Sequence, residues 1–150
     1  MSHLTILTPV VPYPPRSGGT AHIVQITRQL ARFYRVSLYA LAVDPATVTW
    51  GPLAEWCDEV RAFGRTPRSA WGIAPPAVRQ EYSAEMIAYL RRAWAKQAPD
   101  VVQLEFTSMA QYAPLAHKAG ALVVCTAHNV AFLAQVRRAQ LQREIGRAHV

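Results

Sequence analysis

Residues 3–41 read HLTILTPVVPYPPRSGGTAHIVQITRQLARFYRVSLYAL, and this stretch decides the fold. It opens with an apolar run, residues 3–8, and returns to a second one at residues 35–41. Between them, Ile23, Ile26 and Leu30 recur on one face of a helical stretch, residues 20–33, while Arg28, Gln29 and Arg32 fall elsewhere. The two apolar runs are rich in Val and Leu and alternate only weakly, as strands do when both faces of a parallel sheet are covered. The stretch is a strand-helix-strand unit.

The same rhythm continues outward. Residues 59–63, 101–105 and 121–126 read as further strands. A helix is predicted over residues 77–97, with Met86, Leu90 and Trp94 four apart, and Pro99 forbids its continuation. A shorter helix, residues 108–119, ends at Gly120, a usual place for the left-handed residue after a helix. Residues 44–76, broken by five prolines, read as loops around one short strand, with Arg65 and Arg68 exposed. The expected architecture is an open, doubly wound α/β domain, a mostly parallel sheet flanked by helices. Such sheets bind ligands beyond the carboxyl ends of their strands, which directs attention to the loops after the first, fourth and fifth.

Composition narrows the class. Hydrophobic residues make up 51% of the 150-residue chain and charged residues 17%, which is a globular balance with a real core. No apolar run approaches the roughly 18–20 residues that cross a bilayer, and the N-terminus lacks a basic segment ahead of a long apolar one, so a cytoplasmic protein is expected. Cys57 and Cys125 lack metal-site spacing and read as buried thiols. A formal charge of +7 favours an anionic partner: a phosphate, a nucleotide or an acidic membrane surface. Nucleic acid is disfavoured, because the arginines are spread with no basic helix or aromatic ladder. Residues 144–150, EIGRAHV, look like a translated sequencing adapter and are set apart from residues 1–143.

Three loops carry candidate chemistry. After the first strand a proline-rich approach ends in Gly18 and Gly19 at a helix start, where unpaired N–H groups and the helix dipole favour an anion; Arg16 and Thr20 flank the pair. The plainer reading is a turn with Thr20 as helix cap. Neither a dinucleotide G-x-G-x-x-G nor a P-loop is present. After the fourth strand, Glu105 suits a hydrogen bond to a sugar or acceptor hydroxyl, or else caps the helix that follows. After the fifth, His128 and Asn129 suit polyol recognition. His22 and His117 lie in helical stretches and read as packing or surface residues. No serine triad, zinc spacing or close carboxylate pair points to hydrolysis, and no metal ligand set is expected.

Taken together, PYPPRSGGTAH from Pro12 to His22, PDVVQLEF from Pro99 to Phe106 and THE order-preserving TAHNV from Thr126 to Val130 resemble the N-terminal domain of GT-B glycosyltransferases, and most nearly the retaining family 4. The resemblance covers nearly the whole chain. It implies a Rossmann-like, acceptor-side half of an enzyme that moves a sugar from a nucleotide-sugar donor to a saccharide or lipid-linked acceptor in polysaccharide or glycoconjugate synthesis. It gives Gly18 and Gly19 a place beside the donor phosphate and His128 a place by the transferred sugar. The donor pocket and an acidic Glu-x7-Glu motif would belong to a second domain that this sequence lacks, so the chain alone should be inactive. The nucleotide-sugar is then a co-substrate, with no cofactor and no metal required. Ala131 stands where related sequences often carry Glu after His-Asn-Val.

Two other readings compete. One is a non-catalytic Rossmann-like module that binds a nucleotide or phosphate. The other is an atypical nicotinamide oxidoreductase, which lacks its third glycine and has only Asp44 to hold a ribose. For the transferase, basic charge would also favour peripheral contact with anionic lipid at the inner face of the membrane.

Overall fold

The computed structural model describes residues 1–66 and 75–128. Its elements are β1 (His3–Thr8), α1 (Gly18–Leu30), β2 (Arg35–Ala42), α2 (Leu53–Trp56), β3 (Glu59–Gly64), α3 (Pro76–Gln80), α4 (Ala84–Lys96), β4 (Val101–Glu105), α5 (Ala113–Lys118) and β5 (Leu122–Thr126). Short 3-10 helices cover Pro45–Thr47 and Thr107–Tyr112. All five strands are parallel and lie in the order β3-β2-β1-β4-β5. This is a Rossmann-like, doubly wound α/β fold, as the sequence predicted. Among the described residues no helix is long and apolar enough to cross a membrane.

The strand order explains where the helices go. The β1-α1-β2 step moves toward one edge of the sheet and the β4-α5-β5 step toward the other, so right-handed crossovers put their helices on opposite faces. The core is accordingly split. On one face Ile23 of α1 packs with Leu4, Ile6, Val36 and Leu38; on the other Met86, Leu90 and Trp94 of α4 pack with Leu41, Phe63, Val102 and Leu104. The direction of winding reverses between β1 and β4, the place where folds of this kind have their ligand crevice at the carboxyl ends of the strands.

Several predicted boundaries move for local reasons. The single helix expected over residues 77–97 is two, because Ser83 accepts a hydrogen bond from the Met86 N–H at 3.2 Å and caps a fresh helix. The segment expected as one helix over residues 108–119 is a 3-10 helix followed by α5, the change falling at Ala113, just before Pro114. The buried stripe of α1 is Thr20, Ile23, Val24 and Thr27, turned slightly from the predicted one. Arg65 is not free on the surface: it is half-buried, donating to the carbonyl of Pro9 and to Glu81. Arg68 lies outside the described residues. Cys57 is buried, and burial pushes its thiol up to about 12. Cys125 is exposed, contrary to expectation, because β5 is an edge strand among the described residues. On that strand Leu122 and Val124 are exposed as well.

At the amino edge of the sheet, Glu59 accepts hydrogen bonds from Tyr39, at 2.7 Å, and from Tyr89. Burial works against its ionisation, but these bonds and the charge of Arg61 outweigh burial and lower its pKa. His3, bonded to Ser37 at 2.9 Å, is lowered from 6.5 by burial and then by Arg35. The unfolded chain therefore takes up a proton before the folded one at both sites. Stability should fall as pH drops below 6.5, through His3, and fall further below 4.5, through Glu59. Melting curves at pH 7, 5.5 and 4 test this, with Tyr89→Phe expected to flatten the lower step. A melting temperature that stays level over this range would count against both linkages.

Candidate functional site

The crevice is built by three loops. The first runs from Thr8, whose hydroxyl donates to the Val10 carbonyl at 3.0 Å, to the start of α1. There Ser17, not Thr20, is the N-cap: its side chain accepts from the Thr20 N–H at 3.2 Å, and the Thr20 hydroxyl accepts from the Ser17 N–H at 3.0 Å. The Thr20 hydroxyl also accepts from the Arg16 N–H and donates to the Ser17 carbonyl, each at 3.0 Å, so this buried side chain is spent on the cap. Thr20 shapes the site without being free to meet a ligand. The N–H groups of Gly18 and Gly19 are left without an acceptor among the described residues, and no acidic residue occupies the first turn to offset the dipole. Arg16 is exposed beside them.

The second and third loops meet this helix end. Glu105, fully buried at the end of β4, bonds His128 through its Oε2 and accepts from the Gln103 amide through its Oε1. It therefore does not cap the following 3-10 helix, whose N-cap, Phe106, makes no side-chain cap bond. A buried carboxylate needs such partners, since leaving it unpaired costs several kcal/mol or more. The β4–β5 register, with Glu105 opposite Thr126, brings His128 back beside Glu105.

His128 stacks on Phe106, ring centroids 4.2 Å apart, and meets His22 edge-on at 5.2 Å. A Cβ on Gly19 would stand 2.9 Å from Phe106 Cζ and 3.8 Å from His128 Nδ1. Gly19 and His128 thus share one rim, although only 8% of the histidine side chain is exposed. With Nε2 held by Glu105, Nδ1 is the nitrogen turned toward the glycine loop. Asn129 lies outside the described residues, as do Ala131 and the segment 144–150.

Two participants escaped the sequence reading. Phe106 has φ +69 and ψ 145, a region nearly reserved for glycine that costs a bulky residue on the order of 1–3 kcal/mol. Its N–H donates to the Thr126 carbonyl at 2.9 Å, and the strained backbone turns its ring onto His128 and Gly19. His22 is exposed on α1, one turn beyond Gly18, and its ring meets that of His128 rather than packing into the core. Nothing in either residue's neighbours in sequence signals this. Asp44 caps the 3-10 helix, accepting from the Ala46 N–H at 3.0 Å. Among the described residues no group of three or more His, Cys, Asp or Glu could hold a metal ion. No protein-family pattern matches the chain, and no curated protein matches it.

Proposed function

We propose that this chain is the acceptor-side, Rossmann-like half of a retaining GT-B glycosyltransferase of the family 4 kind, passing a sugar from a nucleotide-sugar to a saccharide or lipid-linked acceptor. The observation that carries the reading is the approach of Gly19 to Phe106 and His128 at the switch point of the sheet. Two unpartnered N–H groups at a helix start suit the departing diphosphate, and the Nδ1 of His128 suits a sugar hydroxyl as acceptor. Glu105 acts through His128, since it is sealed from any ligand. Displacement would occur on the front face with retention, the developing charge on the diphosphate being stabilised electrostatically rather than by a protein nucleophile. A second domain would supply the nucleotide pocket. The basic charge supports a peripheral position against anionic lipid at the cytoplasmic face.

The two glycines separate folding from binding. A Cβ on Gly18 meets nothing within 4 Å, so Gly18→Ala should fold at least as well as the parent, while its methyl obstructs the anion. Gly19→Ala pushes on Phe106 and should cost about 1–3 kcal/mol. The test titrates the chain with nucleotide-sugars, free saccharides, pyrophosphate and NAD, following the amide resonances of Gly18 and Gly19 and the ring of His128. Shifts with nucleotide-sugars and with saccharides, lost in Gly18→Ala, support the transferase reading. Shifts with diphosphates alone would favour a non-catalytic binding module, and preference for NAD an oxidoreductase.

A further inference from the structure

Away from the crevice, a cavity of about 720 Å³ lies between α4 and the 3-10 helix and α5 that precede β5. Its walls include Trp94, Tyr112, Pro114 and Leu115, so it is an apolar chamber. Tyr112 is fixed there, donating to the Glu81 carbonyl at 3.0 Å and accepting from the Ser83 N–H at 2.9 Å. A smaller cavity of about 310 Å³ opens at the start of α4, against Tyr82, Ala84 and Ala88. Ile87, Arg91 and Gln111 line both, so the two adjoin along one groove with Arg91 on the wall of each.

The charged side chains that line this groove are both basic. No residue among its described lining is acidic, and Lys118 stands with Arg91 on its walls. Arg91 has no ionic partner among the described residues. On α4 the single acid is Glu85 in the first turn, whereas Arg91, Arg92 and Lys96 follow; α5 carries no acid. A purely apolar ligand would leave the guanidinium unused, and a small inorganic anion would leave Trp94 and Leu115 wet. A molecule with both ends satisfies both chambers, and the volumes lie in the range of ordinary small-molecule sites.

We propose that this groove binds a single-chain anionic amphiphile, its carboxylate or phosphate head on Arg91 in the smaller chamber and its alkyl chain in the larger one along Trp94 and Leu115. The proposal does not depend on the glycosyltransferase reading, because none of the crevice residues lines the groove.

The test titrates the 150-residue chain with dodecyl phosphate and with dodecanoate, each below its micellar concentration, and reads the tryptophan fluorescence. Saturable binding of either, with the signal lost in Trp94→Phe, is expected. Dodecanol and inorganic phosphate should each bind at least about tenfold more weakly, as should dodecyl phosphate to Arg91→Gln, a substitution at an exposed position. Ala95→Trp, which fills the larger chamber from an exposed wall position, should block the chain without touching the charge. Equal binding of dodecanol, an unchanged Arg91→Gln, or no binding of any monomer would overturn the proposal. A response to phosphatidylglycerol vesicles without one to the monomers would overturn it in favour of a membrane-facing surface.

Discussion

Glu105→Ala is expected to cost about 1–3 kcal/mol of folding stability for each of the two buried partners it leaves unpaired. The carboxylate is fully buried, and its two oxygens serve His128 and Gln103. Alanine leaves both partners without their acceptor inside the fold, so the loss exceeds that of a surface pair, where about 0–1 kcal/mol is usual. Against a total stability on the order of 5–15 kcal/mol, such a change is large. Chemical denaturation should show a lower midpoint with an unchanged slope. Glu105→Gln restores an acceptor to one neighbour and presents an N–H to the other, so it should recover part of the loss. Saccharide-induced shifts of His128 should weaken in both variants, since the ring is no longer held against Phe106. A Glu105→Ala protein as stable as the parent would show that the buried bond is not formed.

The second large effect concerns the loop that delivers the glycines. Gly51 has φ +53, and a Cβ there would lie 2.3 Å from Cε1 of Tyr13, whose ring lies flat against the glycine. Alanine must accept a left-handed backbone, costing roughly 1–2 kcal/mol, and must also displace the ring. The combined penalty should be about 2–4 kcal/mol. Because Tyr13 belongs to the proline-rich approach to α1, displacing it should also shift the Gly18 and Gly19 amides. The double variant Tyr13→Ala, Gly51→Ala separates the two parts: with no ring to displace, the glycine substitution should cost only its backbone share, and the pair should be less than additive. Strict additivity would mean that ring and glycine do not touch.

Much of the scaffold was legible in the sequence. β1 and β4 fall where their apolar runs do, at His3–Thr8 and Val101–Glu105, and the parallel arrangement follows from strands too apolar to face water. The Met86, Leu90 and Trp94 stripe is the buried face of α4, as helical spacing predicts. The start of α4 could also have been read, since Ser83 followed by Glu85 is a capping signal, but the longer helical pattern masked it. At α1 the cap is Ser17 and Thr20 answers it three residues on, where the sequence pointed to Thr20 as the cap.

The site was legible only as separate pieces. Sequence determines which residues stand at the carboxyl ends of the strands, because strand length and turn chemistry are local properties: Gly18, Gly19, Glu105 and His128 all could be named that way. Tertiary structure alone decided that Glu105 is spent on His128 rather than on a ligand, that Phe106 twists into a glycine-like backbone to cover the imidazole, that His22 joins them, and that Arg91 stands on the wall of both chambers of one groove. These depend on sheet register and helix packing, which join residues as much as 106 positions apart, from His22 to His128. No local pattern encodes such a pairing, because the free energy that fixes it comes from burying surfaces contributed by different elements at once.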